Sequence, residues 1–242
     1  MQILSIGNSF SQDATHYFSR VAKADGVKLV SVNLYIGGCS LYRHFQNMMT
    51  DKKAYSFEFN GESTGFEMSI KEALISREWN AVTFQQVSSH SKNYNTFQPY
   101  LNELSAYAKK YAPKTKQYIH QVWAYEEGSK LLESQGFATS ADMFKEEQNS
   151  YNLAKEDISA AGLIPSGELM LLMSQNGIKV HRDSFHASLG AARYGLALLW
   201  YGYFTGNDVM ANSFSDFDVP VTEQEIAIVK DCVAKILANH KK

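Results

Sequence analysis

Cysteine is scarce in this chain: Cys39 and Cys232 are the two thiols among 242 residues. They stand far apart and fit neither a disulfide scaffold nor the paired spacing of a zinc site. A surplus of one charge sign is missing too. Lys and Arg number 23 against 25 Asp and Glu, a net charge of −2. No basic stretch is available to neutralise phosphates, so no nucleic-acid partner is expected. No Gly-rich phosphate loop follows the first apolar run, which argues against a nucleotide binder. Internal repeats and low-complexity linkers are absent as well. The longest apolar run, Ala187 to Phe204, is interrupted by Arg193 and by Gly190, Gly195 and Gly202. A wholly buried helix explains that run better than a membrane span.

What is present suits one α/β domain over residues 1–242, with 45% hydrophobic and 20% charged residues and enough length to bury a core unaided. The first strand begins at residue 2 with no basic segment before it, so no secretory leader is expected here. A leader removed upstream would place the protein in the periplasm or outside the cell; otherwise it is cytoplasmic. The oligomeric state is not legible.

Ile3 to Ile6 reads as a buried strand, stopped at Gly7-Asn8, with a helix from about Ser11 to Gly26. Lys28 to Ile36 is a second strand closed by Gly37-Gly38, and a helix carrying Leu41, Phe45 and Met48 follows. Tyr55 to Asn60-Gly61 alternates and ends in a hairpin signal, a small excursion from the main sheet near 55–66. Residues 67–77 read as helix, Ala81 to Gln86 as a third strand, and Gln117 to Trp123 as a fourth. A helix stopped by Pro113 lies between those strands, and helix 140–161 leads to a fifth strand at Leu163-Ile164. The last helices are 187–204 and one opened by the capping box Thr222-Glu-Gln-Glu225. This alternation predicts a three-layer α/β/α fold, a mostly parallel, flavodoxin-like sheet of about five strands. Ligands of such sheets bind at the carboxyl ends of the strands.

That edge receives the unusual residues. Ser9 sits on a tight strand-to-helix turn, where neighbouring amides point at negative charge. This is the geometry of a nucleophile with oxyanion donors beside it. A plain βα turn with an N-cap would give the same residues. In His181-Arg-Asp183-Ser-Phe-His186, Asp183 can fold onto the His186 imidazole and leave Nε2 free for a serine proton. A solvated loop that caps the next helix is the competing account.

Together these stretches resemble the SGNH hydrolases, the GDSL-like esterase superfamily. Gly7-Asn8-Ser9-Phe10-Ser11 is similar to its first block, Gly38 to its second-block glycine, and Asp183-Ser-Phe-His186 to its last block. Within it, the Gly-Asn-Ser-Phe-Ser opening and the Gln-Gln strand resemble a bacterial branch of unknown function. The resemblance implies a Ser9–His186–Asp183 triad and an oxyanion hole of the Ser9 and Gly38 amides. Two departures stand out. Asn8 replaces the usual first-block aspartate, and the third-block Gly-x-Asn-Asp is absent. Gln85 and Gln86 stand in its place, and only one can face the site on strand alternation. Gln86, nearer the strand end, is the expected side-chain donor, a role that typically contributes about 3–4 kcal/mol.

The implied substrate is a small-molecule or carbohydrate ester with a short acyl group, acetyl first. Asn8, Phe10, Gln85, Trp123 and Tyr125 are candidate substrate contacts, the two last as an aromatic platform for a sugar. Tyr35, Tyr42 and Arg43 are lesser candidates for pocket walls. No cofactor is implied. His16, His44, His120 and His181 lack the clustering of metal ligands, so no metal is expected. His90 reads as a solvated loop residue, Glu126-Glu127 and Glu146-Glu147 as solvated helix faces, and Cys39 as packing. Two other classes fit the same residues: a sugar-binding shell that has lost turnover, supported by Asn8 and the missing third block, and an acyltransferase using the same serine.

Overall fold

The computed structural model describes residues 1–240. In chain order it comprises β1 (Gln2–Gly7), α1 (Ser9–Thr15), α2 (Phe18–Ala24), β2 (Val30–Tyr35), α3 (Leu41–Met49), β3 (Tyr55–Phe59), β4 (Glu62–Met68) and α4 (Ile70–Ile75). There follow β5 (Ala81–Phe84), α5 (Tyr100–Tyr111), β6 (Lys116–His120), α6 (Lys130–Ser134), α7 (Ser140–Asp157), β7 (Gly162–Ile164), α8 (Ser166–Gln175), α9 (Ala191–Thr205) and α10 (Glu223–Asn239).

The sheet order is β4-β3-β2-β1-β5-β6-β7. Strands β2, β1, β5, β6 and β7 run parallel to one another, which is the flavodoxin-like order when the parallel strands alone are numbered. Ile3, Leu4, Ile6, Val82 and Phe84 are buried, the near-continuous apolar runs that a sheet covered on both faces requires. Helices α1, α2, α8, α9 and α10 pack on one another in one layer, and α3, α4 and α5 in another, while α7 packs on β6 and β7.

The 55–66 hairpin corrects the expectation of an excursion. Its strand β3 pairs antiparallel with β2, Val32 opposite Phe59 and Tyr35 opposite Ser56. The sheet therefore has seven strands rather than about five. An unpaired β2 edge would expose a row of backbone donors and acceptors, and the hairpin covers it.

Other boundaries shift as well. Met68 closes β4 and α4 begins at Ile70, so 67–77 is only partly helical. Strand β5 ends at Phe84, two residues before Gln86, and β6 ends at His120, before Trp123. The helix after Ser9 is two helices, α1 and α2, with α2 running to the turn at Gly26. The apolar helix α9 starts at Ala191 and is buried along most of its length. No described helix is long and apolar enough to cross a membrane.

Register decides what meets at the carboxyl edge. Gly7 is opposite Tyr35 on β2, and Ile6 is opposite Phe84 on β5. The segments that leave those strands, Asn8–Ser9, Ile36–Gly38 and Gln85–Ser88, therefore emerge side by side. Strand β1 is also where the strand order reverses, the switch point at which such sheets bind ligands.

Candidate active site

Ser9 is the first residue of α1, directly after the Asn8 cap. The Asn8 side chain accepts from the Phe10 N–H at 3.0 Å, and Ser11 Oγ accepts from the Asn8 N–H at 3.1 Å. This reciprocal cap holds the turn in one shape. Ser9 Oγ lies 3.0 Å from His186 Nε2, and His186 Nδ1 lies 2.8 Å from Asp183 Oδ2. The other carboxylate oxygen, Asp183 Oδ1, accepts from the backbone N–H of Phe185 at 2.9 Å and of His186 at 2.7 Å.

Partial burial by itself would raise the Asp183 carboxyl. Those two N–H groups and the imidazole outweigh it and hold the pKa at about 2. An ionised carboxylate only accepts, which places the imidazole proton on Nδ1 and leaves the Nε2 lone pair for the serine hydroxyl.

Residues 177 positions apart meet this closely because a buried charge ties their elements together. Asp13, on α1 one turn after Ser9, is fully buried. It accepts from Arg182 Nη1 at 2.9 Å, Arg193 Nε at 2.8 Å and the Ala187 N–H at 3.1 Å. The Ala187 amide is the one next to His186, so the clamp fixes the imidazole loop relative to the serine helix. This role was not drawn from the sequence. A signal for it was present in Arg193, a charge inside an apolar helix that needs a buried counter-charge.

A cleft of about 250 Å³ opens over this group, bordered by Ser9, Gly38 and His186, with Phe10, Tyr35 and Val87 among its walls. Gly38 has φ +61°, a left-handed backbone that suits glycine. Larger hollows of about 600 and 750 Å³ open at the amino ends of the strands, beside Gly162 and beside Asn80. They include none of the three residues of the Ser9 group.

Several expected contacts are placed elsewhere. Gln86 is fully buried and its amide is committed: Oε1 accepts from the Leu41 and Val87 N–H groups at 2.9 Å each, and Nε2 donates to the Thr96 carbonyl at 2.9 Å. It braces the α3 start rather than offering a donor to the cleft. Gln85 lies beneath the serine turn, Nε2 donating to Asn8 Oδ1 at 2.6 Å and Oε1 accepting from His120 Nδ1 at 2.9 Å. Asn8 in turn donates from Nδ2 to the Cys39 carbonyl at 3.1 Å. Its side chain thus joins the Ser9 turn to the Gly38 turn, with one Nδ2 hydrogen committed to the Cys39 carbonyl.

Trp123 and Tyr125 do not form a sugar platform, because both are buried. The Trp123 indole N–H donates to the Phe185 carbonyl at 2.8 Å, and its ring stacks on Phe10 at 4.2 Å. The Tyr125 hydroxyl lies 3.1 Å from Ser88 Oγ. Phe10 borders the cleft, as does Tyr35, but Tyr42 and Arg43 do not. The sequence reading missed Val87, Ser88 and Phe185, whose apolar or small side chains carry no motif.

Of the remaining residues, His90 is exposed and His16 pairs with Asp218. His44 is buried against the Tyr55 hydroxyl at 2.9 Å, with Cys39 Sγ at 3.5 Å. Burial pushes the Cys39 thiol up to about 12, so this Cys–His neighbour pair holds no thiolate. Glu147 is not on a solvated face: it is wholly buried, and burial raises its carboxyl to about 8. Among the described residues no three His, Cys, Asp or Glu side chains could together hold a metal ion.

The strand order and the edge-sited serine define an α/β protein with the fold of the SGNH hydrolases. More particularly, residues 2–234 match the profile of a domain of unknown function, DUF4886, and the chain belongs to that family. A DUF4886 protein from Bacteroides uniformis is similar at 28% identity with TM-score 0.90, over 100% of this chain and 96% of that one. A protein assigned as an SGNH hydrolase from Slackia heliotrinireducens matches at 20% identity and TM-score 0.58, over 84% and 98%. One assigned as a GDSL-like lipase from Parabacteroides merdae matches at 14% and 0.55, over 85% and 95%. None of the curated proteins searched matches.

Proposed function

We propose that this protein is a serine esterase that removes short acyl groups, acetyl first, from a neutral alcohol. The observation that carries the reading is the unbroken hydrogen-bond chain from Ser9 Oγ through His186 to Asp183, at the cleft beside Gly38. In the proposed reaction Ser9 attacks the acyl carbonyl and His186 Nε2 takes the hydroxyl proton. Asp183 holds the imidazole tautomer and stabilises the imidazolium. The Ser9 and Gly38 amides receive the oxyanion. The imidazolium then protonates the departing alcohol, and a water molecule, deprotonated by His186, releases the acid.

Cleft size supports a short acyl chain, since about 250 Å³ lies below the usual range of drug-sized sites. The neutral alcohol is supported by the cleft's lining, in which, among the described residues, His186 is the sole titratable side chain of the His, Lys, Arg, Asp and Glu types. A carbohydrate as the alcohol rests on the resemblance of the sequence blocks to the SGNH hydrolases. Of the aromatic rings at the site, Tyr35 is the one with a polar tip at the cleft.

The test compares wild type with Ser9→Ala on p-nitrophenyl acetate, longer acyl esters and acetylated sugars. Ser9→Ala is expected to lower kcat by several powers of ten, because members of such a chain act as a unit. Circular dichroism and the urea midpoint should be unchanged. Turnover that survives Ser9→Ala removes this serine from the reaction.

A further inference from the structure

An acyl-transfer site needs donors aimed at the developing oxyanion, and each removed donor typically costs about 10²- to 10³-fold in rate. With the Gln86 amide committed to the α3 start and Thr96, the side-chain donor must come from another residue on the cleft. Asn8 commits Oδ1 to the Phe10 N–H and Gln85 Nε2 and one Nδ2 hydrogen to the Cys39 carbonyl, Ser9 is the nucleophile and His186 the base. Among the described residues, Ser88 and Tyr35 are the remaining cleft residues with a side-chain O–H.

Ser88 is the preorganised one. It leaves β5 on the segment that emerges beside the Ser9 turn, and it borders the same cleft as Ser9 and Gly38. Its carbonyl accepts from Ser91 Oγ at 2.6 Å, which pins the backbone. Its own Oγ is backed at 3.1 Å by the Tyr125 hydroxyl. The residue is 5% exposed, so this hydroxyl works where water screens little. Tyr35, by contrast, is half-buried, with its hydroxyl beside the exposed Gly37.

We propose that the Ser88 hydroxyl is the side-chain donor of the oxyanion hole, with Tyr125 donating to Ser88 Oγ from behind. The proton count closes: Tyr125 gives its one hydroxyl proton to Ser88 Oγ, and Ser88 gives its own to the oxyanion. Burial raises the Tyr125 pKa, so the phenol stays protonated and remains a donor. Glu147 and Ser91 continue the support, with Ser91 Oγ 2.7 Å from Glu147 Oε1. A neutral Glu147 gives its proton to Ser91, and Ser91 gives its own to the Ser88 carbonyl.

The proposal rests on the esterase reading, and the experiment separates the two. Initial rates on p-nitrophenyl acetate are measured for the full chain and for Ser9→Ala, Ser88→Ala, Ser88→Thr, Tyr125→Phe and Tyr35→Phe. Inhibition is measured with an alkylboronic acid, whose tetrahedral adduct on Ser9 sets an oxygen at the oxyanion position. Ser88→Ala should lower kcat by about 10²- to 10³-fold with KM within about threefold, and weaken the boronate in step.

Ser88→Thr, which keeps the hydroxyl, should recover most of the loss. Tyr125→Phe should show a smaller loss in kcat, and Tyr35→Phe almost none. If Ser88→Ala does not fold, Ser88→Cys keeps the volume with a weak donor and should show the same kcat loss. Ser9-dependent turnover that is indifferent to Ser88, a loss confined to KM, or the full effect in Tyr35→Phe instead overturns the proposal alone. No Ser9-dependent turnover in wild type overturns the esterase reading and this proposal together.

Discussion

Replacing Asp13 by asparagine keeps the shape of a buried group and removes its charge. In the native protein the two carboxylate oxygens receive Arg182, Arg193 and the Ala187 N–H. Asparagine leaves two guanidinium groups facing one neutral amide. Breaking a buried ion pair by removing one partner costs about 3–5 kcal/mol. The Arg193 side chain is 12% exposed and has little water to fall back on, whereas Arg182, at 28%, recovers part of its hydration.

The low end of that range, about 3 kcal/mol, is therefore expected. For a chain of 242 residues this corresponds to a Tm lowered by roughly 6–12 °C. Activity should fall further than stability suggests. The Ala187 amide sets the imidazole loop, and a displacement of about 1 Å can lose about 10²-fold in kcat. Urea unfolding and thermal melting at pH 7 give the stability, and initial rates at a temperature where the variant is folded give the activity. The triple replacement Asp13→Leu, Arg182→Met, Arg193→Met should recover part of the stability, because apolar substitutes for a buried ion cluster are often neutral or better, while the Ala187 N–H loses its acceptor. A change under about 1 kcal/mol together with an unaltered kcat would refute the clamp.

Trp123→Phe keeps most of the stack on Phe10 but deletes the indole N–H that holds the Phe185 carbonyl. Leaving that carbonyl unpaired should lower stability by about 1–3 kcal/mol and reduce kcat, read by urea titration and initial rates. Glu147 binds its proton up to about pH 8 in the folded state, while in an unfolded chain it loses it near about 4.3. The native state therefore holds more protons in that window, and its stability falls as pH rises from about 4.3 to 8. Glu147→Gln should remove this slope, so that the variant gains on wild type by a few kcal/mol (roughly) between pH 5 and pH 8. Parallel urea midpoints across that range would contradict it.

Chain-local signals carried much of the fold. The apolar run Ile3–Ile6, the stop at Gly7-Asn8 and the capping box at Thr222 each act within a few residues, where propensity and hydrogen bonding suffice. The Asp183–His186 pair was legible for the same reason, since a span of three residues closes on itself. So was a hairpin ending at Asn60-Gly61. Its attachment to the β2 edge was not, because edge pairing depends on which strand is left uncovered.

The candidate site divides along the same line. Residue types and order named Ser9, Asp183 and His186, and the resemblance to the SGNH hydrolases added Gly38. Tertiary packing decided what lay between them: that Asp13 would take two arginines, and that Gln86 would turn to Leu41 and Thr96. It also decided that Trp123 would be buried against the imidazole loop. A glutamine or tryptophan can serve substrate or core equally well by its chemistry. Which it serves is set by the hydrogen-bond partners and burial that the fold supplies, and those are long-range facts that no local pattern contains.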